Sequence, residues 1–215
     1  GKLGINEVQD QKKRTITFSS ILIEEIGHHK YGEIWANNIK RALEEKNIIH
    51  RPIHIISANM HSVLNTLYAK QALVKESENC EGFELFQLLS NADSKPLQEK
   101  IKKFASKKGL TFIKDTSGTN IDVQVIDTAE IDFKTPFIRN KADGEKNPVI
   151  IVMDYAFGEQ AYETMDELLK PYKKKGERIY IDVISISIMG KAGILKGAKG
   201  DIMIPSAHIF EGTAD

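Results

Sequence analysis

The sequence predicts an α/β protein with a mostly parallel sheet flanked by helices. Two stretches carry this reading. "RPIHIIS" is a compact β-branched run followed by the helically spaced "NMHSVLNTLYAKQALV". "PVIIVMDYAFG" is an apolar strand followed by the helix "EQAYETMDELLKPY" and by a second apolar run from Ile179 to Met189. Strand, helix and strand in that order, with strands apolar on both faces, is the pattern of parallel strands covered by helices on each side.

Taken in chain order, Ile21, Ile26, Ile34, Trp35, Ile39 and Leu43 recur at helical spacing between Phe18 and Lys46. Gly27 and Gly32 interrupt that pattern, so two short helices are expected. After the first strand and helix, "FELFQLLS" and "KPLQEKIKKFASKKG" read as helices, the second capped by Asp93 or Ser94 and stopped by Gly109. "LTFIKD" and "IDVQVID", joined by "TSGTN", predict a hairpin. "TPFIRNKADGEKN", residues 135–147, is polar and turn-forming and is expected to divide an amino-terminal α/β region, 1–140, from a second α/β region, 147–215. In the second region the helix should bury Ala161, Met165, Leu168 and Leu169, and "KPYKKKGER" should form a lysine-rich turn.

Composition narrows the function classes. The 215 residues are 41% hydrophobic and 28% charged, and thirty basic residues balance thirty acidic ones. Zero net charge without interleaved aromatic residues argues against nucleic-acid binding, and no apolar run of spanning length points to a membrane. The single cysteine, Cys80, forms no intramolecular disulfide, which fits a reducing, cytoplasmic setting.

Three stretches attract chemical interest. In "MGKAG", Gly190 and Gly193 allow positive φ and close ligand approach, and Lys191 places a cation beside exposed amides; this suits a phosphate or carboxylate, or is simply a tight turn with a solvated lysine. In "RPIHIISANMHSVLN", a strand delivers Ser57, Asn59 and His61 to a helix start, where they either assist an anion or only cap the helix. In "EEIGHHKYGE", His28, His29 and Glu33 raise a metal question, with His50, His54 and His61 as further candidates. The glycines and the spacing fit no zinc motif, so no metal site is assigned.

The longer run "GKAGILKGAKGDIMIPSAHIFEGTAD", with "VIIVMDYAFGEQAYETMDELL" upstream, resembles the purine nucleoside and uridine phosphorylase superfamily over residues 147–215. Gly190 and Gly193 match its glycine-bounded turn, Gly200 and Asp201 its Gly-Asp step, and Glu211, Gly212 and Thr213 its Glu-Gly-Thr-like tail. The resemblance implies a phosphorylase-like sheet, here incomplete, and a homo-oligomer that uses no cofactor. It also implies a purine nucleotide or nucleoside held by Gly158, Gly190, Lys191, Gly193, Glu211 and Thr213; as a substitute for a missing carboxylate Glu211 is the weaker reading, and a locally paired loop residue the stronger. Ile188 stands where the phosphorylases carry a phosphate-gripping arginine, so the sequence looks closer to AMP nucleosidases, which use water. N-glycosidic cleavage needs a carboxylate near the sugar and a proton donor near the base. The superfamily's two carboxylates have no counterpart before Asp215, so the catalytic residues stay unassigned and the 215 residues alone are expected to be inactive. Two alternatives stay open: a non-catalytic nucleotide or small-anion binding α/β module, and a metal-dependent hydrolase built on the amino-terminal histidines.

Overall fold

In the computed structural model, residues 19, 30–77, 83–131, 147–190, 197–198, 201 and 204 are described. Five strands form one mixed sheet in the order β2, β3, β4, β1, β7: Leu110–Ile113, Val123–Asp127, Val149–Met153, Pro52–Ser57 and Asp182–Ile188. β1 pairs in parallel with β4 on one side and β7 on the other, whereas β3 runs antiparallel to both β4 and β2. Four strands therefore point one way and β3 opposes them. The expected hairpin of β2 and β3 is present. Its loop is closed by the Asp115 carboxylate, which accepts from the backbone N–H groups of Ser117 at 2.9 Å, Gly118 at 3.1 Å and Asn120 at 2.8 Å.

Helices cover both faces because the central strands alternate two apolar sets. Ile53, Ile55, Val123, Val125, Val149, Ile151 and Met153 pack with Trp35, Ile39 and Leu43 of α1 (Lys30–Glu45) and Leu168 of α6 (Gly158–Leu169). On the other face Ile126 and Val152 pack with Leu64 and Tyr68 of α2 (Met60–Ala72), Leu85 and Leu89 of α4 (Phe83–Ser90) and Ile101 of α5 (Lys95–Ser106). A short α3, Val74–Ser77, follows α2. No described helix is long and apolar enough to cross a membrane.

Several expectations are corrected. Gly32 does not break α1; it lies inside the helix, where a Cβ would stand 3.4 Å from Glu167 Cγ and 3.5 Å from the Glu163 carbonyl, so the glycine lets α6 approach closely. Residues before Lys30, Ser19 apart, lie outside the described set, and with them His28 and His29. Ser94 occupies the cap position of α5 without capping it, because its hydroxyl donates to the Leu89 carbonyl at 2.8 Å. The run from Ile179 to Met189 is not one strand covered on both faces. It divides at Tyr180 and Ile181 into β6 (Glu177–Ile179) and β7, and among the described residues β7 lies at the sheet's edge with Ile184, Ile186 and Ile188 exposed. The lysine-rich turn is a hairpin of β6 with β5 (Tyr172–Lys174), turned by Lys175 at φ 48° and Gly176 at φ 87°. Both residues at positive φ match the twist of a two-residue hairpin. Leu169 is exposed rather than buried. Finally, the segments on either side of residues 135–147 share one sheet, since β4 lies between β3 and β1.

The close approach of α1 and α6 buries a charge. Lys40 is 2% exposed, and its Nζ donates to the carbonyls of Glu167 and Lys170, each at 2.7 Å, at the negative end of the α6 dipole. Burial pushes its ammonium down to about 8 from an ordinary value near 10.5, against the opposing pull of Glu167 and Glu33. A folded pKa below the unfolded one means that the unfolded chain holds more protons between those two values. Stability attributable to Lys40 should therefore rise with pH from about 8 towards 10.5. Urea unfolding across that range should show the rise in the wild type and lose it in Lys40→Met; a rise of equal size in the variant would contradict the assignment.

Candidate functional site

The parallel strands end together on one edge, with Ser57 in register with Met153 and with Ile188. Backbone bonds tie these ends: Ala58 N–H donates to Met153 O at 3.0 Å and Met189 N–H to Ser57 O at 2.8 Å. The chain leaves β1 into α2 on one face and β4 into α6 on the other. Loops that part to opposite faces leave the space beyond neighbouring strand ends open, which is where ligands of α/β sheets bind.

Gly158 and Gly190 both come to this edge. Gly158 opens α6 at φ 55°, a Cβ added there would meet nothing within 4 Å, and the residue follows Phe157, which is 75% exposed. Gly190 follows β7, takes no positive φ, and would set a Cβ 3.7 Å from Cε1 of Tyr155. The conformational freedom expected of Gly190 is therefore not used by its own backbone. Tyr155 and Phe157 lie with ring centroids 6.1 Å apart. Asp154, at the end of β4, carries no signal in the sequence that sets it apart; its carboxylate accepts from the Tyr155 N–H at 2.8 Å. Lys191, Gly193, Glu211 and Thr213 lie outside the described residues.

A cleft of about 760 Å³ opens on the α2 side of this edge. α2 and α5 run side by side in the same sense. Asn59, Ser62 and Asn65 on the first and Lys95, Gln98 and Lys102 on the second line the cleft at their amino-terminal halves, and farther along the Tyr68 hydroxyl donates to Lys108 O at 3.0 Å. Two helix starts thus present their positive dipole ends to one space. Asn59 caps α2, its Oδ1 accepting from His61 N–H at 2.9 Å. Lys95 and Lys102 add cations, the latter 3.2 Å from Glu99 Oε1. The volume falls within the range of small-molecule sites, roughly 300–1,000 Å³.

Two of the lining residues, Asn65 and Gln98, each keep one side-chain oxygen buried and without a partner among the described residues. Asn65 is 8% exposed and its Oδ1 accepts no hydrogen bond among the described residues. Gln98 donates from Nε2 to Leu89 O at 3.2 Å, while its buried Oε1 has no partner there. Asn59 and His61 are legible at this site from the sequence, through the helix start. Asn65 and Gln98 are not, since their only signal is a polar residue on the inward face of an amphipathic helix.

The other histidines do not gather. His54 Nδ1 lies 2.7 Å from Ser185 Oγ across β1 and β7, and among the described residues no group of three or more His, Cys, Asp or Glu side chains is placed to hold a metal ion.

The fold and cleft define an α/β protein with a cation-bearing cavity at the carboxyl edge of its sheet. By sequence the chain belongs to a family of unknown function, DUF6909, whose pattern matches residues 69–214 and so spans both sides of the 135–147 stretch. No curated protein and no solved structure matches the chain.

Proposed function

We propose that the chain is a binding protein for a small anion of the nucleotide class, held in the cleft between α2 and α5. The observation that carries this reading is the opening of two helix starts, with Lys95 beside them, onto one cavity of about 760 Å³. Helix amino termini favour anions by exposed N–H groups and by their dipole, and a lysine adds a charge-assisted contact. Calorimetric titration with AMP should give saturable one-to-one binding that weakens as salt is added. Lys95→Ala should weaken it by about 1 kcal/mol, roughly fivefold. Absence of binding would reject this reading.

A second reading is favoured by Asp154. Its carboxylate stands at the end of β4 on the edge that also carries Gly158 and Gly190. A carboxylate at that place suits the AMP nucleosidase-like hydrolysis that the resemblance of residues 147–215 implies; the phosphorylase-like identity of the sheet, and the homo-oligomer that goes with it, rest on that resemblance alone. Release of free adenine from AMP, abolished in Asp154→Asn, would establish it. Bound AMP recovered intact after prolonged incubation would leave the binding role alone.

A further inference from the structure

The two edges of the five-stranded sheet are protected unequally. β2 is four residues long, and Lys107, Lys108 and Lys114 stand beside it in the chain; shortness and lysine both keep an edge from pairing with another sheet. β7 has seven residues and holds no lysine, arginine or proline, its one charge being Asp182 at the first position. Its inner edge pairs with β1, and no described strand pairs with its outer edge. Ile184, Ile186 and Ile188 are 57%, 44% and 71% exposed. Ile186 and Ile188 stand opposite Ile55 and Ser57, on the face that α1 and α6 cover farther in. A register shift against β1 leaves Ile184 with no opposite residue in that strand. A long, apolar edge without such charges is a template for another strand.

The strand itself says which strand fits. Residues 184–188, Ile-Ser-Ile-Ser-Ile, read the same in both directions. An antiparallel partner of the same sequence centred on Ile186 sets isoleucine opposite isoleucine and serine opposite serine. A two-fold axis through that point, perpendicular to the sheet, also keeps the α1 faces of both copies on one side. We propose that two copies of this chain pair β7 against β7 in antiparallel sense, with Ile186 facing Ile186, Ile184 facing Ile188 and Ser185 facing Ser187, and so continue one sheet across both. The pairing joins the outer-edge backbone groups and covers the isoleucine ridge of each copy. Because the contact is isologous and consumes both β7 edges, it closes as a dimer and does not grow into a filament. It depends on neither AMP nor the resemblance of residues 147–215.

Sedimentation equilibrium of the full chain over a range of micromolar concentrations should show a reversible dimer. Ile186→Lys sets like charges directly opposite each other across the axis, and Ile188→Lys places one at each end of the paired segment. Each should weaken the dimer by roughly tenfold or more. Two variants are used so that a folding defect in one, read by circular dichroism, does not decide the matter. The register is read by mild oxidation in a Cys80→Ser background. Ile186→Cys should cross-link to itself, whereas Ile184→Cys and Ile188→Cys should cross-link only when mixed, since directly opposed residues alone come within disulfide reach. A monomer at every concentration, as expected if the edge is covered within its own chain, would overturn the proposal. A dimer of undiminished affinity in both lysine variants would overturn the assignment to β7, and self-cross-linking of Ile184→Cys would overturn the antiparallel register.

Discussion

Trp35→Ala is expected to lower the free energy of unfolding by about 3–5 kcal/mol, the range for removing a large buried aromatic side chain. Trp35 is 2% exposed and packs with Ile39, Ile53 and Ile151 between α1 and the sheet. Its indole Nε1 also donates to the Ile121 carbonyl at 2.9 Å, just ahead of β3. Truncation leaves a cavity and strips that buried carbonyl of its partner, so the two losses fall together. Equilibrium urea unfolding measures the change. A loss below about 1 kcal/mol would mean that α1 does not seal this face of the sheet.

Gly109→Ala is the other large effect, and its cause is backbone geometry. Gly109 sits at φ 88°, and an added Cβ would come 2.5 Å from the Asp127 carbonyl and 2.8 Å from Glu130 Cβ. The residue cannot simply move away, because its own carbonyl accepts from Asp127 N–H at 2.9 Å. Left-handed strain and overpacking each cost roughly 1–3 kcal/mol, so a loss of about 3 kcal/mol is expected. Gly158→Ala separates the two causes: at φ 55° with nothing within 4 Å it should suffer the backbone strain alone, about 1–2 kcal/mol. Equal losses in the two variants would show that the contact with Asp127 does not constrain Gly109.

Gly109 also shows what the sequence could and could not disclose. It reads as a helix stop, and α5 does end just before it, at Ser106. What no local pattern reveals is that the same glycine lies against the end of β3. The strands β1 and β4 are legible because a sheet interior demands apolar residues on both faces. β7 is misjudged for the same reason: "VISISIM" is apolar enough for a central strand, and only the order of the described strands places it at an edge with Ile186 and Ile188 exposed. The continuity of α1 through Gly32 depends on α6, far away in sequence, and the sharing of one sheet across residues 135–147 depends on β4 inserting beside β1.

The site is legible in the same uneven way. Asn59 and His61 follow a strand and open a helix, a local arrangement that points to the sheet's carboxyl edge. Asn65 and Gln98 come from different helices, and each alone reads as an ordinary polar helix position. Only the side-by-side packing of the two helices brings them to one cleft. Gly158 and Gly190 reach the same edge, but on the side of β4 and β7. The cleft and the glycine-bearing strand ends are therefore two distinct places where a nucleotide could be received.

Backbone amide chemical shifts recorded during titration of the full chain with AMP distinguish these places most directly. Binding in the cleft predicts concentration-dependent shifts concentrated in residues 59–65 and 86–102. Shifts confined to residues 154–158 and 188–190, with the two cleft helices unmoved, would contradict it.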